Sequence, residues 1–92
     1  MTPIRWTPEA STDLEHISLH IAESNPEAAL KTVRNIFERI EQLASFPNLG
    51  RLGREEGTRE LVCAPLPYLV VYRLKDSVIQ ILHIWHGAQR RH

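Results

Sequence analysis

Residues Thr7 to Ala44 read TPEASTDLEHISLHIAESNPEAALKTVRNIFERIEQLA, and this stretch contains two helix starts of the same kind. In Thr7-Pro8-Glu9 a hydroxyl residue can cap, proline opens the first turn, and an acid sits at the positive end of the helix dipole. Asn25-Pro26-Glu27 repeats that order. After the first start, Ala10, Leu14, Ile17, Ser18 and Ile21 recur at helical spacing, with His16, His20 and Glu23 on the opposite side. After the second, Ala29, Leu30, Val33, Ile36, Phe37, Ile40, Leu43 and Ala44 form one broad apolar stripe. Glu27, Lys31, Arg34, Glu38 and Glu41 form the polar face, with i,i+4 pairs Glu27–Lys31 and Arg34–Glu38. So short a break between two amphipathic helices predicts an antiparallel helical hairpin.

Outward from the hairpin the period changes. Pro3 to Trp6 is a candidate short strand, and Phe46-Pro47 ends the second helix. Residues 47–57 read as a loop from their glycines and Pro47, and loops of that length are often functional. Strand-like composition follows in Thr58–Ala64, Tyr68–Leu74 and Val78–Trp85. Pro65-Leu66-Pro67 marks one turn and Lys75-Asp76-Ser77 a tight hairpin. The last strand is almost wholly apolar, which predicts a central position covered on both faces. The expected architecture is α+β: a two-helix antiparallel hairpin on a small, mostly antiparallel four-stranded sheet, one domain over residues 1–92.

Composition narrows the class. The 92 residues are 42% hydrophobic and 24% charged, an ordinary globular balance. A single cysteine excludes an internal disulfide framework and a cysteine-based zinc finger. No apolar run approaches a membrane span and residues 1–11 lack a signal-type apolar segment, so a cytoplasmic location is expected. The formal charge of zero divides unevenly. Residues 1–50 carry four Lys/Arg against seven Asp/Glu, net −3, and residues 51–92 seven against four, net +3. Six of those seven later cations are arginines, the side chain suited to gripping phosphate or carboxylate in a fork.

Few groups suggest chemistry. His16 and His20 have metal-ligand spacing but no third ligand, and read as exposed helix histidines. Gly50, Gly53 and Gly57 lack the Gly-Lys-Ser/Thr ending of a phosphate loop. Cys63 reads as a buried thiol, and Trp6, Phe37 and Phe46 as core. Strand parity places Tyr68 and Tyr72 on one face and Arg73 on the other, and sends His83 and His86 apart. His86, before Gly87 and near Arg90 and Arg91, is the stronger acid–base candidate. A salt bridge to Glu60 is the structural alternative for Arg73.

Several segments together resemble the RelE/ParE superfamily of toxins from bacterial type II toxin–antitoxin modules. They are W-T-P-E-A-S-T-D-L-E-H-I (6–17), F-P-N-L-G-R-L-G-R (46–54), G-T-R-E-L-V (57–62), P-Y-L-V-V-Y-R (67–73) and V-I-Q-I-L-H-I-W-H-G-A-Q-R-R (78–91). The resemblance spans almost the whole chain, in order. It implies a cognate antitoxin as partner and one of two activities. RelE-like members cleave mRNA in the ribosomal A site, whereas ParE-like members poison DNA gyrase.

The RelE-type arginine within the Y-R-L-V-Y strand is replaced by Leu69, and Glu60 to Pro67 contains no RelE-type lysine. Tyr72-Arg73 and the ending Leu82-His83-Ile84-Trp85-His86 resemble the ParE-like branch. YafQ-type nucleases carry a catalytic histidine near His86, which keeps a nuclease as the alternative. In that alternative His86 is the acid or base, and Arg73 or Arg59 grips phosphate. In the gyrase reading the expected contact residues are Arg51, Arg54, Tyr68, Arg90 and Arg91. A non-enzymatic interaction module is the third possibility. No metal, organic cofactor or membrane partner is expected.

Overall fold

The computed structural model describes residues 1–87. Both helix starts form as their sequences require. The Thr7 hydroxyl accepts from Ala10 N at 3.2 Å and opens α1 (Pro8–Ala22). Asn25 Oδ1 accepts from Ala28 N at 3.0 Å and opens α2 (Pro26–Glu41), which tightens into a 3-10 turn over Gln42–Ala44. The strands are β1 (Ile4–Trp6), β2 (Arg51–Leu52), β3 (Arg59–Val62), β4 (Tyr68–Lys75) and β5 (Val78–His86).

They form one sheet in the order β1-β5-β4-β3-β2. β1 runs parallel to β5 and the remaining pairs are antiparallel. The strand count is five rather than four, because Arg51 and Leu52, expected in a loop, pair with Glu60 and Arg59. Two residues make only an edge stub, too short to show a period in sequence. β4 and β5 are joined at Asp76-Ser77, both at positive φ (53° and 62°), the geometry of a primed two-residue hairpin turn.

The hairpin covers one face of the sheet. Ala10, Leu14, Ile36, Ile40 and Leu43 meet Leu61, Cys63, Val70, Tyr72, Ile79, Ile81 and Ile84 in a single core. β5 is interior as expected, flanked by β1 and β4, but helices cover only one of its faces. Its other face is screened by its own larger side chains, with Trp85 opposite Leu69 and His83 opposite Val71. The register shifts between Val71 and Tyr72, which adds Leu82 to β5 as a bulge. The extra residue resets the parity, so Ile79, Ile81 and Ile84 all enter the core despite their spacing.

Two aromatic expectations need correction. Phe46 is 64% exposed, since it follows the last helical turn and lies beyond the sheet's cover, and Phe37 is 43% exposed. Leu30, in the predicted apolar stripe, is 68% exposed on the outer side of α2. The apolar stripe on α2 is wider than the surface the sheet can cover. Trp6 is half-buried, with its ring 5.1 Å from that of Phe37.

Candidate functional site

The predicted site residues divide between the two faces of the sheet. Tyr68 and His86 are paired across β4 and β5, with ring centroids 5.6 Å apart in an edge contact. Tyr68 packs against the core on the helix side and His86 is exposed at the strand end. Arg59 is paired with Tyr72 and turns toward the 47–50 segment, donating to Gly50 O at 2.8 Å and Asn48 O at 3.4 Å. Arg73 lies on the helix-free face, where its Nε donates to Gln80 Oε1 at 2.7 Å. The structure therefore separates His86, Arg73 and Arg59 instead of gathering them round one point.

The ion pair considered for Arg73 is not the one formed. Glu60 is 3% exposed and is bridged by Arg51, whose Nε lies 3.3 Å from Glu60 Oε1. The register explains this: Glu60 sits beside Arg51 in β2 and Val71 in β4, two residues along from Arg73 and so in the next row of the same face. Arg54 lines a cleft on the same helix-free face. Arg90 and Arg91 lie outside the described residues.

That cleft, about 390 Å³, is lined by Thr7, Arg54, Glu60, Val71, His83 and Trp85 among others. One of its lining residues, His83, is paired with Asp13 of α1. Asp13 Oδ2 lies 3.1 Å from His83 Nδ1 and accepts from Ile84 N at 3.0 Å. β1 pairs with β5 only as far as Ile81, so the edge of β5 beyond it lacks a strand partner. The start of α1 fills that edge with side chains. Asp13 takes the Ile84 amide, and the Thr7 hydroxyl donates to Ile81 O at 2.7 Å. An ionised carboxylate only accepts, so its bond to a neutral imidazole places the proton on Nδ1 and leaves Nε2 as an acceptor. The His83 ring stacks on Trp85 at 4.7 Å and 24°. The sequence separation of 70 between Asp13 and His83 hides this pair from any local motif.

Two groups are shifted by burial. Desolvation raises the Tyr72 phenol above its ordinary value, partly offset by the Gly50 amide and the Arg59 charge. Desolvation likewise raises the Cys63 thiol, against the opposing charge of Arg39, so the thiol stays protonated and unreactive near neutrality. His16 and His20 are exposed on α1, and no group of three or more potential metal ligands occurs among the described residues. No helix there is long and apolar enough to cross a membrane.

This arrangement, a helical hairpin over one face of a five-stranded sheet whose other face carries arginines, is that of a small bacterial toxin. Residues 4–91 match the family described as the ParE toxin of the type II toxin–antitoxin system parDE, and the chain belongs to that family. Y4kP of Sinorhizobium fredii is 40% identical over 87 residues, covering 95% of this chain and 90% of that protein. Toxin RelE2 of Caulobacter vibrioides is 34% identical over 89 residues, covering 97% and 99%. Among solved structures, the chromosomal ParDE system from P. aeruginosa superposes with a TM-score of 0.86 at 35% identity, covering 94% of this chain and 96% of that one. The chain is thus a type II toxin of the RelE/ParE superfamily, on the ParE-like side.

Proposed function

We propose that this toxin arrests growth by inhibiting DNA gyrase and is neutralised by direct binding of a cognate antitoxin. The observation that carries the reading is the separation of His86, Arg73 and Arg59. Attack of a ribose 2′-OH on its neighbouring phosphate needs a base, an acid and a phosphate-gripping cation within hydrogen-bond reach of one point. Here Arg59 is held by backbone carbonyls, Arg73 projects from the helix-free face, and His86 stands on the other side of the sheet. The replacement of the RelE-type arginine by Leu69, 5% exposed between its strand neighbours, points the same way. Membership of the ParE family supports gyrase as the target, and the solved ParDE complex supports an antitoxin partner. Arg51, Arg54 and Tyr68, with Arg90 and Arg91, are the proposed target contacts. A cytoplasmic site of action follows from such a target.

Two assays test this. Purified gyrase is assayed for supercoiling with increasing toxin, with and without antitoxin. In parallel, a preformed message is translated in a cell-free system and mapped by primer extension. Loss of supercoiling with an uncut message is expected. Ribosome-dependent cuts with unimpaired supercoiling overturn the reading and direct attention to the Asp13–His83 pair.

A further inference from the structure

On the helix-free face, Arg5, Gln80 and Arg73 stand side by side on β1, β5 and β4, in direct register. Their orientation follows from their neighbours: Ile4 and Trp6 pack toward the helices, Ile79 and Ile81 lie in the core, and the residues between them face outward. Lys75, two residues beyond Arg73 on β4, extends the row on the same face.

The row presents donors only. Gln80 Oε1 is occupied by Arg73 Nε, so its carboxamide turns its N–H groups outward. Among the described residues the terminal guanidinium nitrogens of Arg73, the Arg5 guanidinium and the Lys75 ammonium have no acceptor. Most other cations differ: Arg51 is bridged to Glu60, Lys31 to Glu27, and Arg39 and Arg59 are held by carbonyls, while Arg34, whose expected pair with Glu38 does not form, stands apart from the row on α2. The one acid in the sheet's interior rows, Glu60, belongs to the next row and is bridged there.

We infer that Arg5, Gln80, Arg73 and Lys75 form a phosphate-backbone contact surface for duplex DNA. The backbones of β1 and β4 are about 10 Å apart across two strand spacings. Over that length a duplex presents about six phosphate charges and a single strand about half as many. A short row of unpaired cations therefore gains most from the duplex, through release of its condensed counterions. No element of the row is arranged to read bases, so the contact is independent of sequence. This surface does not depend on gyrase being the target, since it is measured on DNA alone.

The test uses the full chain and a fluorescently labelled 20-base-pair duplex, followed by anisotropy over a salt series. Binding is expected to weaken with salt at a log–log slope of about −2 to −3, as for three phosphate contacts. Arg5→Gln with Arg73→Gln should lower affinity at 50 mM salt by about tenfold or more and flatten the slope by about 2. Lys31→Gln, which removes a cation on the helix side, should change affinity less than about twofold by the same reckoning. Circular dichroism and thermal melts confirm that each variant is folded, and Lys75→Gln supplies a second, independent probe of the row. Undetectable binding overturns the inference. So does equal weakening by Lys31→Gln, or tighter binding of a single-stranded RNA of the same length.

Discussion

The phenol oxygen of Tyr72 lies 2.9 Å from the Gly50 amide nitrogen, which donates to it, while its own proton goes to Pro47 O at 2.7 Å. One buried hydroxyl thus fastens the segment after α2 to the centre of the sheet. An added Cβ at Gly50 would stand 2.8 Å from Tyr72 Cε1 and 2.9 Å from the Glu60 carbonyl, so the two residues can approach only because one is glycine. Tyr72→Phe should lose about 1–3 kcal/mol, because it leaves the Gly50 amide buried without an acceptor. Gly50→Ala should lose about 1–3 kcal/mol through overpacking against backbone. Chemical denaturation measures both, and a variant as stable as the parent would show that the fastening is dispensable.

Alkaline stability follows from the same phenol. Its pKa is raised in the folded protein, so the native state holds a proton that the unfolded chain releases more readily. The stabilisation is fully present below the ordinary tyrosine value of about 10 and is lost as pH rises through the folded value. The Cys63 thiol, also raised, acts with the same sign from its own ordinary value. Urea midpoints should therefore fall between pH 8 and pH 11, less steeply in Tyr72→Phe than in the parent. Parallel pH profiles for the two proteins would exclude Tyr72 as a source.

Asp13 provides a separable effect on β5. Asp13→Ala removes the acceptor for the Ile84 amide and the partner of His83, and should cost about 1–3 kcal/mol. Asp13→Asn keeps an acceptor oxygen and should cost less. Nitrogen chemical shifts of the His83 ring report the tautomer directly. The parent should show the proton on Nδ1, and loss of that preference is expected in Asp13→Ala. An unchanged tautomer in that variant would mean that something other than Asp13 orients the ring.

Thr7 joins two levels of structure. Its hydroxyl oxygen caps α1 through Ala10 N and its proton goes to Ile81 O on β5. Thr7→Ala should lower stability by about 1–2 kcal/mol, against a few tenths for an exposed threonine such as Thr12. Equal effects at the two sites would leave the cap without consequence.

Both helices were legible from composition because their signals are local: cap, proline and acid at each start, then a stripe at helical period. The strand candidates were legible for the same reason, as was the opposition of Tyr68 and Arg73. The edge strand Arg51–Leu52 was not, since two residues carry no period and their pairing is set by β3. The exposure of Phe46 depends on where the sheet stops, which no local window contains.

The sequence by itself determined the class of fold, the division of the two helices into polar and apolar sides, and the resemblance that leads to the ParE family. Tertiary structure alone decided which charges meet across the sheet. Arg51 rather than Arg73 takes Glu60, because strand register and not sequence distance places a guanidinium beside a carboxylate. Asp13 reaches His83 because β1 ends at Trp6 and leaves the edge of β5 open to α1. Arg5 and Arg73, far apart along the chain, share a row because a parallel and an antiparallel pairing meet on either side of Gln80. Secondary structure answers to neighbours along the chain, whereas ion pairs and surfaces answer to neighbours in space.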